Sequence, residues 1–187
     1  KAGTLAMWTI GLVLVNQITY LVITRLATQA NVNAAALGEV AAGLTTYQKA
    51  HLVFMLPHSV ITVSIVTALL PALSRVAHSG KLAQAGRDVS GAMRLVSFLV
   101  IPVTAILFVS GVGIAVLLFG YGAATTAQAE LLGVVISIFM LGLVPFTLFY
   151  VLLRGYYALE DTRTPFILTV IFSAILLLLL VPAFGTL

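Results

Sequence analysis

Five long apolar stretches constrain this chain more than any other feature. A helix that crosses the hydrocarbon of a bilayer needs about twenty mainly apolar residues. The stretches reach that length, and they lack the alternating pattern of barrel strands. We therefore predict an all-α integral membrane protein, a polytopic helical bundle with spans at Leu5–Leu26, His51–Leu70, Leu95–Phe119, Leu131–Leu153 and Phe166–Phe184.

Composition excludes several other classes of protein. The chain is 61% hydrophobic and 7% charged, whereas a soluble domain carries roughly a quarter charged residues. The net charge of +4 fits loop cations that fix membrane topology, because no basic stripe with aromatic residues indicates nucleic-acid binding. The absence of cysteine excludes thiolate metal sites and thiol nucleophiles.

The basic residues predict the orientation of the chain. Residues 71–94 hold four of them against one acid, and residues 154–165 hold two more, whereas the other connections are nearly free of cations. The positive-inside rule places both segments in the cytoplasm. The N-terminal end of the chain is then cytoplasmic and the C-terminal end external. An odd number of spans, apolar almost to both ends, indicates a piece of a larger protein.

Several spans contain residues that interrupt regular helices. Pro57, Pro102 and Pro145 each remove a backbone hydrogen bond, so a kink is expected at each. Kinked helical bundles are typical of transporters. Between the second and third spans we expect a turn at Ser79-Gly80 and an amphipathic surface helix over Lys81–Met93.

Residues that carry enzyme chemistry are scarce. The five acids lie in loops or at span ends, no carboxylate pair occurs within a span, and no nucleophile elbow or phosphate-binding glycine pattern is present. His51 and His58 are seven residues apart, about 10 Å along a helix, which is too far to share one ion. We expect no enzymatic activity, no cofactor and no metal.

Polar residues in the first two spans are the candidate cargo contacts. Lys49 precedes the second span, and His51, His58 and Thr62 follow with the spacing of one helix face. They serve either as hydrogen-bonding groups within a packed bundle or as the weakly cationic wall of a cavity for an anionic ligand. Asn16 and Gln17, in the middle of the first span, are candidates for the same cavity.

A charged segment, residues 154–165, separates the last two apolar stretches. Thr164 is expected to cap the last helix with Pro165 at its first position, and Asp161 or Thr162 is an alternative cap. Ion pairs between the two arginines and the two acids would tighten the connection. The segment is either a rigid hairpin or a conformational latch; its candidate residues are Arg154, Tyr157, Asp161, Thr162, Arg163, Thr164 and Pro165.

Three motifs resemble those of the MurJ/MviN lipid II flippase family. The sequence LRGYYALEDTRTP at 153–165 is similar to the family's signature around its conserved Asp-Thr and Thr-Pro pairs. LLPALSR at 69–75 and FGYG at 119–122 resemble two further family segments in the same order. The resemblance covers essentially all 187 residues.

The resemblance implies a fold and a function. The family belongs to the multidrug/oligosaccharidyl-lipid/polysaccharide exporter superfamily, in which two helical lobes surround a central cationic cavity. In the bacterial inner membrane it moves the undecaprenyl-linked peptidoglycan precursor lipid II to the outer leaflet by alternating access. This chain would be about spans seven to eleven, most of the second lobe. Its partners would be the lipid-linked substrate, membrane lipids and the missing first lobe. The alanine- and valine-rich composition favours an actinobacterial member.

One departure from the family affects the expected site. Leu52 stands where well-studied members carry a cavity arginine, so Lys49 and His51 are expected to supply the cationic wall instead. Two alternatives to lipid II transport remain open. One is another transporter of the superfamily, for a different lipid-linked polysaccharide or for drugs. The other is a membrane scaffold for cell-wall synthesis proteins.

Overall fold

The computed structural model describes residues 2–37, 42–121 and 125–185, and this part of the chain is helical with no strand. The predicted fold class is confirmed. Seven α-helices and one π-helix follow in order: α1 Ala2–Leu37, α2 Leu44–Pro57, the π-helix His58–Val63, α3 Ser64–His78, α4 Leu82–Phe119, α5 Thr126–Leu141, α6 Leu143–Ala158 and α7 Arg163–Gly185.

Length and apolarity identify the helices that can cross a membrane. Ala6–Ala36, the continuous helix Leu44–Val76 and Leu82–Phe119 qualify among the described residues, and the bent pair α5–α6 makes a fourth crossing if it counts as one span. Arg163–Leu178 is apolar but shorter. The chain is therefore a multi-pass membrane protein, and the count of five spans stays a prediction.

Helix α4 is longer than a membrane span. Its 38 residues span about 57 Å at 1.5 Å per residue, more than the roughly 45 Å of a whole bilayer. The predicted helix over Lys81–Met93 is present from Leu82 on, and it continues into the third span without a break; its position at the membrane surface stays a prediction. The predicted turn at Ser79-Gly80 is confirmed, and Gly80 adopts a φ of 75° that favours glycine.

The core of the bundle forms around α4. This helix packs against α5, α6, α3 and the π-helix. Its contact with α5 is close because glycines face each other: a Cβ on Gly133 would lie 2.3 Å from the Cα of Val112, and one on Gly111 would lie 2.8 Å from the carbonyl oxygen of Gly133. Small residues allow such close helix approach in membranes. The core around this contact includes Val96, Val100, Ala115, Ile136, Met140 and Leu143.

Helices α1 and α7 pack together beside this core. Trp8 contacts Phe166 with ring centroids 5.1 Å apart. Phe149 on α6 contacts Phe172 on α7 at 4.9 Å, which links the pair to the core. Most of α1 remains exposed, and among the described helices it packs mainly on α7, with a smaller contact on α2.

The prolines act differently from one another. Directly after Pro57 the chain forms the π-helix His58–Val63, because the missing N–H and the ring of proline disturb the preceding turn. The fourth predicted span is not one helix: it is bent by 45° between α5 and α6 at Gly142. Pro145 lies in the first turn of α6, where an N–H is dispensable, so the bend precedes it. Pro102 causes no interruption of α4.

Candidate functional site

Four aromatic rings lie along one side of α2 and the start of the π-helix. Tyr47 and His51 stack with centroids 6.0 Å apart, and His51 and Phe54 stack at 6.2 Å. His58 follows one turn later, at the start of the π-helix. Spacings of three and four residues place these four rings on one helix side. We call Tyr47, His51, Phe54 and His58 the aromatic ladder.

The inner end of the ladder is buried against α6. His58 is 2% exposed, and its ring meets Phe146 at 4.9 Å and Tyr150 at 4.7 Å, both near edge-on. Thr62, one turn further, is fully buried. The His58 Nδ1 and Thr62 Oγ1 atoms have no hydrogen-bond partner among the described residues. His58 and Thr62 therefore point into the bundle of this chain and not towards its outside.

The residues of the predicted polar stripe on the second span differ in exposure. His51 is exposed, whereas His58 and Thr62 are buried. The half-buried Lys49 places its ammonium 5.4 Å from the centre of the Phe119 ring on α4. His51 and His58 are seven residues apart in regular α-helical turns, since the π-helix begins only at His58, so they lie on the same side of the helix at different degrees of exposure. The shared polar face therefore stays a prediction.

A different set of side chains forms the exposed face of α2. Gln48, His51, Leu52 and Ser59 are all exposed, and their spacing is close to i, i+3, i+4 and i+11. Leu52, at the position of the family arginine, is 59% exposed. The sequence reasoning missed Gln48, although its helical spacing from His51 was a usable signal; Ser59 was noted only as one of several hydroxyl groups that make this span more polar. These groups donate and accept hydrogen bonds but provide no nucleophile.

The polar pair on α1 is also exposed. Asn16 donates from Nδ2 to the carbonyl oxygen of Leu12 at 3.0 Å, and Gln17 is exposed beside it. No hydrogen bond, ion pair or ring contact between described residues joins this pair to Lys49 or His51. The two sets of candidate cargo residues lie on separate helices of one chain without direct contact.

No metal site appears in the described part of the chain, where no three His, Asp or Glu side chains cluster. His51 is exposed and His58 is buried. The two histidines therefore lie in different surroundings. This is a second reason, besides their separation along the helix, that they do not share a metal ion.

The charged segment begins with a contact inside α6. Arg154 donates from a terminal guanidinium nitrogen to the Tyr150 hydroxyl at 2.7 Å, and its guanidinium carbon lies 4.8 Å from the centre of the same ring. Arg163 lies 6.0 Å from the Trp8 ring. The expected ion pairs are wrong: among the described residues neither arginine approaches Glu160 or Asp161 within 4.0 Å, and the charge of Arg163 acts on Asp161 only from a longer distance.

The C-terminus of α6 is closed by a backbone motif. The Asp161 N–H donates to the carbonyl of Tyr156 and the Glu160 N–H to that of Tyr157, which is the Schellman arrangement. Glu160 has a φ of 57°, in the left-handed region that a non-glycine residue adopts at a cost. Its carboxylate lies 3.9 Å from His78 Nε2 on α3, and both side chains are largely exposed.

Asp161 caps the next helix. Its Oδ1 accepts from the backbone N–H groups of Arg163 and Thr164, and its Oδ2 accepts from the Thr164 hydroxyl at 2.6 Å. Burial alone would raise the pKa of this carboxyl, but the hydrogen bonds from Thr164 and Arg163 and the Arg163 charge outweigh it and lower the pKa. Of the two alternative caps, Asp161 is confirmed.

The remaining residues of the segment take other places. Thr164 is not the cap: α7 begins at Arg163, so Thr164 is its second residue and Pro165 its third. The hydroxyl of Thr162 is buried without a hydrogen-bond partner in the described residues. Tyr157 is half-buried in the last turn of α6. The segment is thus a short connection fixed by one backbone motif and one carboxylate.

Comparison with known proteins identifies the family. A family model described as "Lipid II flippase MurJ" matches residues 1–187. The chain belongs to the MurJ lipid II flippase family.

Individual members of the MurJ family show the same relationship. Each is named "Probable lipid II flippase MurJ": a Buchnera aphidicola protein is 39% identical over 55% of this chain and 20% of its own length. A Rhizobium meliloti protein is 33% identical over 78% of this chain and 27% of its own, and a Rhizobium tropici protein is 34% identical over 71% and 25%.

The chain matches only part of each relative. It spans about a quarter of the length of these MurJ relatives. No solved structure gives a significant match. The actinobacterial source favoured by composition stays a prediction.

Proposed function

We propose that the protein containing this chain moves lipid II from the cytoplasmic to the outer leaflet of the bacterial inner membrane. The observation that carries the proposal is the match of the MurJ family model to every residue of the chain. The family model describes a lipid II flippase, which is a transporter and not an enzyme.

The chain would form most of the second lobe of this transporter. Its basic residues concentrate near the turns at 79–81 and 159–162, which supports a cytoplasmic position for both turns. The N-terminal end is then cytoplasmic and the C-terminal end external. The largely exposed α1 is available to contact lipid or the rest of the protein, which includes the missing first lobe.

The exposed face of α2 is the proposed cargo surface. Gln48, His51 and Ser59 are exposed polar groups at or near membrane depth, where polar side chains usually serve a function. His51 adjoins Leu52, the position of the family arginine. Lys49 adds positive charge at the outer end, and Asn16 and Gln17 on α1 add further donors and acceptors. A pyrophosphate-linked saccharide requires such groups.

Two irregular sites would permit alternating access. The π-helix His58–Val63 and the bend at Gly142 both lie within spans, where rigid segments can rotate about them. The contact of His58 with Phe146 and Tyr150 joins them. Movement at either site would therefore be transmitted to the other.

Reconstitution tests the function and its alternatives. The purified full-length protein is placed in liposomes with fluorescent lipid II in both leaflets, and an impermeant quencher reports the labelled lipid that reaches the outside. We expect protein-dependent exchange of lipid II. Exchange only of a different polyprenyl-linked saccharide would favour another flippase of the superfamily, and exchange of neither lipid would favour a scaffold. Either result contradicts the proposal.

The cargo surface is tested separately. Lys49→Ala/His51→Ala is expected to slow lipid II exchange and to impair growth of cells that depend on this protein. Ser64→Ala, at an exposed position on α3, is the matched control and should leave exchange unchanged. Normal growth and normal export with the double variant would exclude these two residues from the cargo surface.

A further inference from the structure

An apolar groove lies between the ends of three helices near the turn at 79–81. Its volume is about 280 Å³. It opens beside a small second core in which Leu73, Ala85 and Ala158 are buried. Neither the cargo surface nor the hinge sites reach it. Its walls come from α3, the first turns of α4 and the last turns of α6. They include Leu73, Leu82, Gly86, Val89, Met93 and Tyr156.

The groove lies at the proposed level of the membrane surface. Gly155 on α6 packs directly on Val89 of α4, so these two residues share one depth. The fourth apolar run ends at Leu153 and the third begins at Leu95, which places this depth just outside the hydrocarbon. Tyr156 in the wall is a residue that prefers this zone.

Two exposed cations adjoin the groove in sequence. Lys81 precedes the wall residue Leu82, and Arg87 follows the wall residue Gly86. Two acids also adjoin the wall: Asp88 precedes Val89, and Glu160, which lies 3.9 Å from His78 Nε2, follows Leu159. Leu82 is 63% exposed, which leaves an apolar wall beside these cations. An apolar slot with a cationic rim at an interface matches a lipid with a negative headgroup.

We propose that this groove binds an anionic phospholipid, with one acyl chain along Val89 and Met93 and the headgroup at Lys81 and Arg87. The proposal rests on the proposed membrane placement and not on the identity of the cargo. A lipid is favoured over a protein segment because the groove continues towards the hydrocarbon at Met93 and Leu152. This site would hold a resident lipid apart from the transported one.

Gly86 offers a direct test. A Cβ at Gly86, and likewise at Gly91, would meet no atom within 4 Å, so both positions accept a side chain. Gly86 is a wall residue, whereas Gly91 is not. The full-length protein is placed in phosphatidylcholine bilayers that contain photoactivatable phosphatidylglycerol, and the crosslinked peptides are mapped by mass spectrometry. We expect crosslinks at residues 82–93 and 152–159 that Gly86→Leu abolishes and Gly91→Leu preserves.

Charge variants test the headgroup. Arg87→Gln should reduce crosslinking by phosphatidylglycerol about fivefold, the effect of one cation near an anionic surface, and leave crosslinking by a phosphatidylcholine probe unchanged. Arg25→Gln, an exposed arginine on α1, is the control. The proposal is overturned if the wild-type groove gives no crosslinks, as it would if other parts of the protein cover it. Equal crosslinking of the Gly86→Leu and Gly91→Leu variants, or of the two headgroups, also overturns it. Unchanged lipid II exchange with Gly86→Leu would separate this site from the cargo surface.

Discussion

His58 lies edge-on against Tyr150, with ring centroids 4.7 Å apart and ring planes at 88°. The Tyr150 hydroxyl accepts a hydrogen bond from Arg154, one turn before the Schellman motif. Ring contacts therefore run from Tyr47 in the first turn of α2, through Phe54, Phe146 and His58, to Tyr150 and the family signature in the 154–165 segment. The signature and the irregular second span are parts of one packed unit.

Variants at Tyr150 separate its two contacts. Tyr150→Phe keeps the ring against His58 and removes the acceptor of Arg154, so we expect a loss of about 1 kcal/mol in the free energy of unfolding. Tyr150→Ala also leaves a cavity beside His58 and should cost about 3 kcal/mol or more. Unfolding of the full-length protein in micelles measures both. Tyr121→Phe, at an exposed position, is the control, and equal losses for the two Tyr150 variants would contradict the packing role of the ring.

Cysteine labelling tests which positions of the second span are exposed and which are buried. The chain has no cysteine, so single cysteines can be introduced once any elsewhere in the protein are replaced. His51→Cys and Ser59→Cys should react with a small maleimide, and lipid II should slow the reaction. Thr62→Cys, at a fully buried position, should remain unreactive in the folded protein. Equal labelling of all three positions would contradict the burial of Thr62.

The glycine contact between α4 and α5 predicts a position that accepts no side chain. Gly133→Leu would force the two backbones apart, because a Cβ there would lie 2.3 Å from Val112 Cα. We expect a loss of about 3 kcal/mol or more in stability, at the upper end for overpacked sites. Val134→Leu, at the exposed neighbouring position, should be tolerated. Similar yields of folded protein for both variants would show that these helices do not pack as described.

Replacing Glu160 with glycine should stabilise the protein. Glu160→Gly relieves the positive φ of 57° and should raise the free energy of unfolding by about 1 kcal/mol. The exposed contact with His78 is worth little. Glu160→Ala loses the same contact but keeps the strained backbone, so it should bring no gain. Thermal unfolding of the wild type and of the two Glu160 variants measures these effects. A gain in stability with alanine as large as that with glycine would refute backbone strain as the cause.

The lowered pKa of Asp161 predicts that the stability of the protein depends on pH. Its pKa in the folded protein lies below the usual range, so its contribution is fully present above the ordinary aspartate pKa of about 4. That contribution disappears as the pH falls through the lowered pKa. Asp161→Asn keeps an oxygen that can accept the backbone N–H groups but removes the charge. We expect the variant to be less stable than wild type at neutral pH and the difference to shrink in acid; a constant difference would exclude the carboxylate charge.

The apolar runs were sufficient to predict an all-helical membrane bundle, because the length of an apolar run reflects bilayer thickness directly. They could not predict how far the helices extend. Residues 82–94 carry charges, yet they continue α4 since nothing between Leu82 and Phe119 stops it. The bend of the fourth span lies at Gly142 and not at Pro145, because proline is tolerated in a first helical turn.

The candidate site was predicted less completely. Residue counting places His51 and His58 on one side of the helix, but it could not show that α6 covers His58 and leaves His51 exposed. Asp161 was one of two alternative caps, and its choice over Thr162 depends on which side chain reaches the free N–H groups. The left-handed Glu160 could not be foreseen, since glutamate rarely takes the position that glycine usually occupies in this motif.

The leaflet position of lipid II in living cells tests the central claim most directly. The full-length protein is depleted in its own organism, the precursor is radiolabelled, and an externally added enzyme that cleaves only outer-leaflet lipid II measures the exposed fraction. The account predicts that newly made lipid II accumulates in the cytoplasmic leaflet and that the cleavable fraction falls as the protein is lost. A normal rate of arrival in the outer leaflet, in cells without a second flippase, would contradict it.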